Sequence, residues 1–153
     1  MIKIKKIPFE EFKKIYSTVP RLCVEVVVLK DDELLLIRRT IEPANGQWHT
    51  PGGTVLKGED LESAVKRVAF EELGLKVRSI KNLGIIEYKS YINHYSQDIS
   101  VAFLVEVKKY TKISLDGHAD KFGFFSEIPK NTIADQKDFY KVVLNKKVSK
   151  KKF

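Results

Sequence analysis

The chain has little cysteine and lacks long apolar runs. Cys23 is the only cysteine, which excludes an intramolecular disulfide and fits a reducing compartment. No apolar run approaches the roughly 18 residues of a membrane-spanning helix, so no membrane partner is expected. The first residues, MIKIKKIPFEEFKK, lack the apolar stretch of a signal peptide. These absences together predict a cytoplasmic protein.

Internal repeats and linker-like stretches are also missing, so we expect a single domain over residues 1–153. Apolar residues make up 43% and charged residues 31% of the chain, as in soluble globular proteins. The net charge of +8 suits phosphate-rich ligands, and part of it lies in a basic C-terminal tail, residues 146–153. The tail lacks a nucleic-acid-binding pattern, so a solvated end is favoured and a role at RNA ends would depend on charge alone.

The apolar pattern predicts a mixed β-sheet packed between helices, because strands, a helix, more strands and a last helix follow one another. A short amphipathic helix at residues 8–16 fits either the edge of the core or a dimer interface. The sequence is therefore compatible with a homodimer but does not decide between the two. The other predicted elements are a hairpin at 22–39, a central helix at 61–74, one long or two short strands within 77–91, strands at 99–107 and 122–125, and a helix at 135–147.

The central helix carries an unusual charge pair at its end. Glu59 or Asp60 can cap its start, and Gly74 ends it. Glu71 and Glu72 are adjacent in its last turn, where the helix dipole disfavours negative charge and two carboxylates repel each other. A divalent cation would neutralise both, so the pair predicts a Mg²⁺ or Mn²⁺ site with oxygen ligands.

The spacing around this helix resembles the Nudix box, G-x5-E-x7-R-E-U-x-E-E-x-G-U, where U is apolar. Five residues separate Gly53 from Glu59, seven separate Glu59 from Arg67, and the match over residues 53–75 ends at Leu75. The resemblance implies a Nudix-like α/β/α sandwich. It also implies a Mg²⁺-dependent hydrolase, a pyrophosphatase that cleaves a nucleoside diphosphate linked to another moiety. Nucleotide sugars, ADP-ribose and nucleoside triphosphates are the expected small-molecule substrates.

The resemblance also implies roles for single residues. Glu71, Glu72 and the carbonyl of Gly52 would be metal ligands, with Glu59 close to a second metal. Arg67 lies four residues before Glu71, and we expect it to brace the catalytic groups by pairing with Glu71 or Glu59.

Val68 departs from the box, which has a glutamate there. It shares a helix face with Glu71 and Glu72, and valine can neither bind a metal nor act as a base. Either the general base comes from elsewhere, or the domain is a nucleotide-binding module with weak or no catalysis.

The base has a precedent in the GDP-mannose mannosyl hydrolases, which also lack this glutamate. Those enzymes use a late loop histidine and attack the sugar carbon. The segment around His118 is similar to that loop, so His118 is the candidate base, with Asp120 and His94 as reserves. Glu71 and Thr54 depart from that subgroup and favour attack at phosphorus.

Three further residues are candidate substrate contacts. Arg39 can hold diphosphate oxygens, and strand alternation points its neighbour Arg38 to the other face. Glu25 is a charge within an apolar strand, which indicates either ligand recognition or a solvent-facing position. Trp48 precedes the glycine pair, where packing is favoured over stacking on a base.

Overall fold

The computed structural model describes residues 5–89, 93–108 and 112–150, with side chains described as far as residue 145. None of the helices in these ranges is both long and apolar enough to cross a membrane. The elements in chain order are α1 (Phe9–Tyr16), β1 (Arg21–Lys30), β2 (Glu33–Arg39), β3 (Trp48–His49), β4 (Gly52–Thr54), α2 (Leu61–Leu73), β5 (Val77–Glu87), β6 (Asp98–Val107), β7 (Ala119–Phe125) and α3 (Ala134–Lys150).

The seven strands form one mixed sheet centred on β1. Five of them follow the order β3-β2-β1-β6-β5, while β4 pairs with β1 and β7 pairs with β2 outside this order. Strands β1 and β6 run parallel, from Arg21 opposite Asp98 to Val28 opposite Val105. The pairings of β1 with β4, of β2 with β7 and of β5 with β6 are antiparallel. The predicted mixed sheet is therefore confirmed, and its central strand is the one that carries Glu25.

The predicted hairpin at 22–39 is correct only at its turn. Asp31 and Asp32 take positive φ angles of 51° and 65°, and the only register pairs there join Leu29 with Leu34 and Lys30 with Glu33. Beyond the turn the two strands separate, because β1 pairs with β4 and β6 while β2 pairs with β3 and β7. The local sequence sets the turn, whereas distant strands set the pairing.

Alternate residues of β1 enter two cores on opposite faces of the sheet. Val24, Val26 and Val28 pack with the apolar face of α2, and Val27 packs in a second cluster with Tyr140 of α3. These two cores confirm the α/β/α sandwich. The last helix faces this second core with Tyr140, which is fully buried, whereas Val142 is 52% exposed. Helix α3 also continues through Lys150 into the predicted basic tail, whose residues 151–153 lie outside the described ranges.

Candidate active site

The acidic end of α2 meets the start of β4. Asp60, rather than Glu59, caps the helix, since its side chain accepts a hydrogen bond from the Ser63 backbone N–H at 2.7 Å. Gly74 ends the helix in the left-handed conformation, with φ of 69°. At this end the Gly52 backbone N–H donates to Glu72 Oε2 over 3.3 Å. The fold thus places the two glycines, Gly52 and Gly53, against the carboxylate of Glu72.

Arg67 ties the loop before α2 to the helix. Its Nε donates to Glu59 Oε1 at 2.6 Å, and its Nη2 donates to Glu59 Oε2 at 3.0 Å and to the Thr54 carbonyl at 2.8 Å. Its Nη1 reaches Glu71 Oε2 at 3.2 Å. Burial alone would raise the pKa of Glu59, but the hydrogen bonds from Arg67 hold it below its usual range. Both carboxylate oxygens of Glu59 are thus engaged, as the predicted bracing role requires, and its role near a second metal stays a prediction.

Three carboxylates, those of Glu25, Glu72 and Asp116, line the same cavity as Gly52. Burial raises the pKa of Glu72 to about 8, and the charges of Asp116 and Glu25 add to this effect. Glu25 is only 5% exposed, and burial raises its pKa to about 7. It accepts hydrogen bonds from the hydroxyls of Tyr88 (2.7 Å), Ser100 (2.9 Å) and Thr50 (3.1 Å). The solvent-facing interpretation of Glu25 is therefore wrong.

This donor set fits a hydrated hard cation. The part of the chain that the structure describes holds no group of three or more His, Cys, Asp or Glu side chains arranged as a metal cluster. Magnesium does not require such a cage, because it keeps several waters and usually binds one or two carboxylates plus substrate phosphates. Glu72 meets that description. Glu71 accepts hydrogen bonds from Arg67 and from Lys6 Nζ, the latter at 3.0 Å, and its side chain is 38% exposed.

A cavity of about 360 Å³ opens beside these acids and also has Arg39 and His118 in its wall. Arg39 is oriented by a 2.8 Å hydrogen bond from its Nε to the Pro43 carbonyl. Its neighbour Arg38 points away and pairs with Asp120, donating from Nε at 2.9 Å. The alternation expected for the two arginines is observed, and Asp120, a reserve base, is held outside the cavity.

Of the other predicted site residues, His118 lines the cavity and Trp48 does not. His118 lines the cavity with its side chain 71% exposed, and its Nδ1 lies 3.9 Å from Asp116 Oδ2. Trp48 is not among the residues lining the cavity and packs edge-on against Phe125, with ring centroids 5.0 Å apart. The structure thus supports packing, rather than substrate contact, for Trp48.

Val68 belongs to the core. It is 2% exposed, and its Cγ2 lies 3.0 Å from where a Cβ on Gly53 would stand. A Cβ on Gly52 would lie 2.4 Å from Glu25 Oε2, so the glycine pair permits both close approaches. Val68 thus supplies no carboxylate to this face of α2.

His49 lines the cavity, and no pattern in the sequence indicates this placement. It is 8% exposed, and its Nδ1 lies 2.7 Å from the Thr50 carbonyl, which makes Nδ1 the donor. Burial and the nearby Arg39 charge lower its pKa to about 3, so the ring is neutral. Its buried Nε2, an acceptor, has no hydrogen-bond partner within the described residues.

The structure has a mixed sheet between helices and an acidic helix end that faces two glycines. These are the fold and the site that the resemblance to the Nudix box predicts. The family model of the NUDIX domain matches residues 19–141. The chain therefore belongs to the NUDIX domain family, as predicted.

Known relatives agree with this membership. The chain is 43% identical over 83 residues to the low-salt glycan biosynthesis protein Agl8 of Haloferax volcanii, covering 54% of this chain and 53% of that protein. It is 36% identical over 90 residues to an ADP-ribose pyrophosphatase of Methanocaldococcus jannaschii, covering 58% and 52%. It thus spans about half the length of the curated relatives it matches. The crystal structure of a MutT protein from Methanosarcina mazei shares the fold, with a TM-score of 0.72 at 20% identity, over 84% of this chain and 95% of that one.

The raised pKa of Glu72 predicts a pH-dependent stability in the metal-free protein. The folded state binds the carboxyl proton more tightly than the unfolded state, whose pKa is near 4.5. This contribution is therefore fully present below the unfolded value and is lost as pH rises through about 8. Between about pH 5 and about pH 9, we expect wild type to lose on the order of 2–4 kcal/mol relative to Glu72→Gln.

Denaturant unfolding of both proteins in chelator measures this difference. Glu106→Gln is the matched control, since Glu106 is half exposed on β6 and pairs with Arg78 at the surface. Parallel pH profiles for wild type and Glu72→Gln would contradict the prediction.

Proposed function

We propose that the chain is a Mg²⁺-dependent Nudix hydrolase that cleaves a nucleoside diphosphate linked to another moiety. The observation that carries this proposal is the contact between Glu72 and Gly52 in the wall of a cavity that also holds Arg39. Carboxylates beside a cavity arginine match the two needs of a diphosphate ligand, a cation and a fixed positive fork.

Glu72, Glu71 and the Gly52 carbonyl are the residues that would hold Mg²⁺, with Mn²⁺ as the substitute. When bound, the cation neutralises phosphate oxygens and so stabilises the charge that develops during cleavage. Arg39 binds a phosphate oxygen from the β2 side of the cavity. Arg67 keeps Glu71 in place through their 3.2 Å hydrogen bond.

His118 is the proposed general base, because it lines the cavity near Asp116 and Val68 leaves the box without its own base. We expect His118→Gln to lower kcat by about a hundredfold, the lower end of the usual effect of losing a general base. Steady-state kinetics measure this, with His94→Gln as the matched histidine variant. A large loss in His94→Gln alone would transfer the role to His94.

The substrate class follows from chemistry and from relatives. An ADP-ribose pyrophosphatase and a glycan biosynthesis protein are among the chain's relatives, which favours ADP-ribose and nucleotide sugars as first substrates. Incubation with Mg²⁺ and a panel of both, plus nucleoside triphosphates, tests this by mass identification of every product. Nucleoside monophosphate indicates attack at phosphorus, and free sugar with intact nucleoside diphosphate indicates attack at carbon.

A binding module without efficient turnover is the second candidate, and the burial of Val68 is the observation that favours it. Nucleotide binding with no product from any member of the panel would select this candidate. The repulsion between buried Glu25 and partly buried Glu72 favours the enzyme, because a pure binder has no need to maintain it.

A further inference from the structure

The N-terminal segment lies against the candidate active site rather than within a core. It precedes residues 19–141, which the family model matches. Helix α1 contains no buried residue, and its apolar residue Phe9 is 61% exposed. Lys6 bonds to Glu71 of α2 at 3.0 Å, and Phe9 lines the same cavity as Glu72. Both residues thus place this segment over the site.

Phe9 meets a second aromatic residue in the cavity wall. Its ring centroid lies 6.3 Å from that of Tyr95, and the two rings are nearly perpendicular at 84°. The His94 ring packs against the Tyr95 ring with centroids 4.3 Å apart, and Lys13 Nζ lies 5.8 Å from the Tyr95 ring centroid. Phe9 is exposed and offers stacking surface in this aromatic wall beside positive charge, whereas the Tyr95 ring is partly covered by these neighbours.

Strand β1 gives the distance between this wall and the acids. Arg21 lies at the aromatic end, where it pairs with Asp98, and Glu25 lies opposite Gly52 at the acidic end. Four residues of strand separate the two ends by roughly 13 Å at the usual rise. An extended nucleoside diphosphate can bridge such a span with its phosphates at the acidic end.

The aromatic end offers stacking rather than recognition of base edges. Asp98, a carboxylate in the cavity wall at this end, accepts hydrogen bonds from Arg21 Nε at 2.8 Å and from Ser96 Oγ at 3.0 Å, so it is already engaged. Stacking on an aromatic face tolerates every base because each base has a π-face.

We propose that Phe9 and Tyr95 form a stacking subsite for the nucleobase of the ligand, with Phe9 supplied by the helix that precedes the family domain. This subsite deepens the proposed function and rests on it for the position of the diphosphate. It accepts all bases, and the larger purines bind more tightly than the pyrimidines.

Calorimetric titration of the full chain with AMP, GMP, CMP, UMP and ribose 5-phosphate tests the subsite without turnover. We expect each nucleotide to bind about 5- to 150-fold more tightly than ribose 5-phosphate, the usual effect of one stacked base. Phe9→Ala removes much of this difference and leaves ribose 5-phosphate binding unchanged. Phe9→Trp keeps the difference, while Phe9→Leu loses it because a π-face is required. Phe122→Ala, an exposed aromatic truncation on β7, leaves it intact.

Equal binding of nucleotides and ribose 5-phosphate would overturn the subsite, as would full rescue by Phe9→Leu, which would indicate packing alone. Base-dependent binding without hydrolysis of any substrate would remove the proposed enzyme function and keep the subsite. Hydrolysis without any base-dependent binding would do the reverse.

Discussion

Glu72→Gln should lower kcat by about a thousandfold or more at saturating Mg²⁺, because a bound cation contributes several kcal/mol to charge stabilisation during phosphoryl chemistry. Glu72 is the partly buried carboxylate that accepts a hydrogen bond from the Gly52 backbone, and glutamine keeps its shape while it removes the charge. The variant should also bind Mn²⁺ more weakly by calorimetry. Kinetics on whichever substrate the panel identifies measure the loss in activity.

Glu106→Gln provides the matched control, since its carboxylate lies on the surface and pairs with Arg78. It should keep both activity and metal affinity. Retention of more than about a tenth of wild-type kcat in Glu72→Gln would mean that Glu72 does not hold the essential cation, given the size of metal contributions.

Arg67→Ala should lower the free energy of unfolding by about 3–5 kcal/mol, because it leaves the Glu59 carboxylate buried without its partner. The Glu59 side chain is only 1% exposed, and Arg67 bonds both of its oxygens. For a chain of this length the loss corresponds to a fall in Tm of about 6–20 °C. Thermal unfolding at neutral pH measures it.

The pH dependence of this loss distinguishes an ion pair from lost packing. The pKa of Glu59 is held below its ordinary value of 4.5, so the pair contributes stability above that value and loses it as pH falls through the folded-state pKa. The difference between wild type and Arg67→Ala should therefore shrink in acid. Arg78→Ala, which removes a surface ion pair, should change stability by less than about 1 kcal/mol. Equal losses in the two variants would contradict the bracing role.

Local features of the sequence predicted much of the fold. The start and end of α2 follow from local signals, namely the capping residue Asp60, the helical apolar period and Gly74. The alternation of apolar residues in β6 likewise predicts a strand. Helical spacing likewise brings Arg67 and Glu71 together, because residues four apart on a helix are neighbours, whereas Glu59 precedes α2 and meets Arg67 from the loop. Such patterns depend on short-range geometry, which a sequence displays directly.

By itself, then, the sequence determined the family, the two-faced sandwich and the acidic helix end. Only the tertiary structure decided that Glu25 faces Gly52, that the arms of the 22–39 hairpin separate, and that Tyr140 rather than Val142 enters the core. It also brought Phe9 to the cavity wall and left Trp48 outside. These placements follow from pairing and packing between segments far apart in the chain, whose energies no local pattern records.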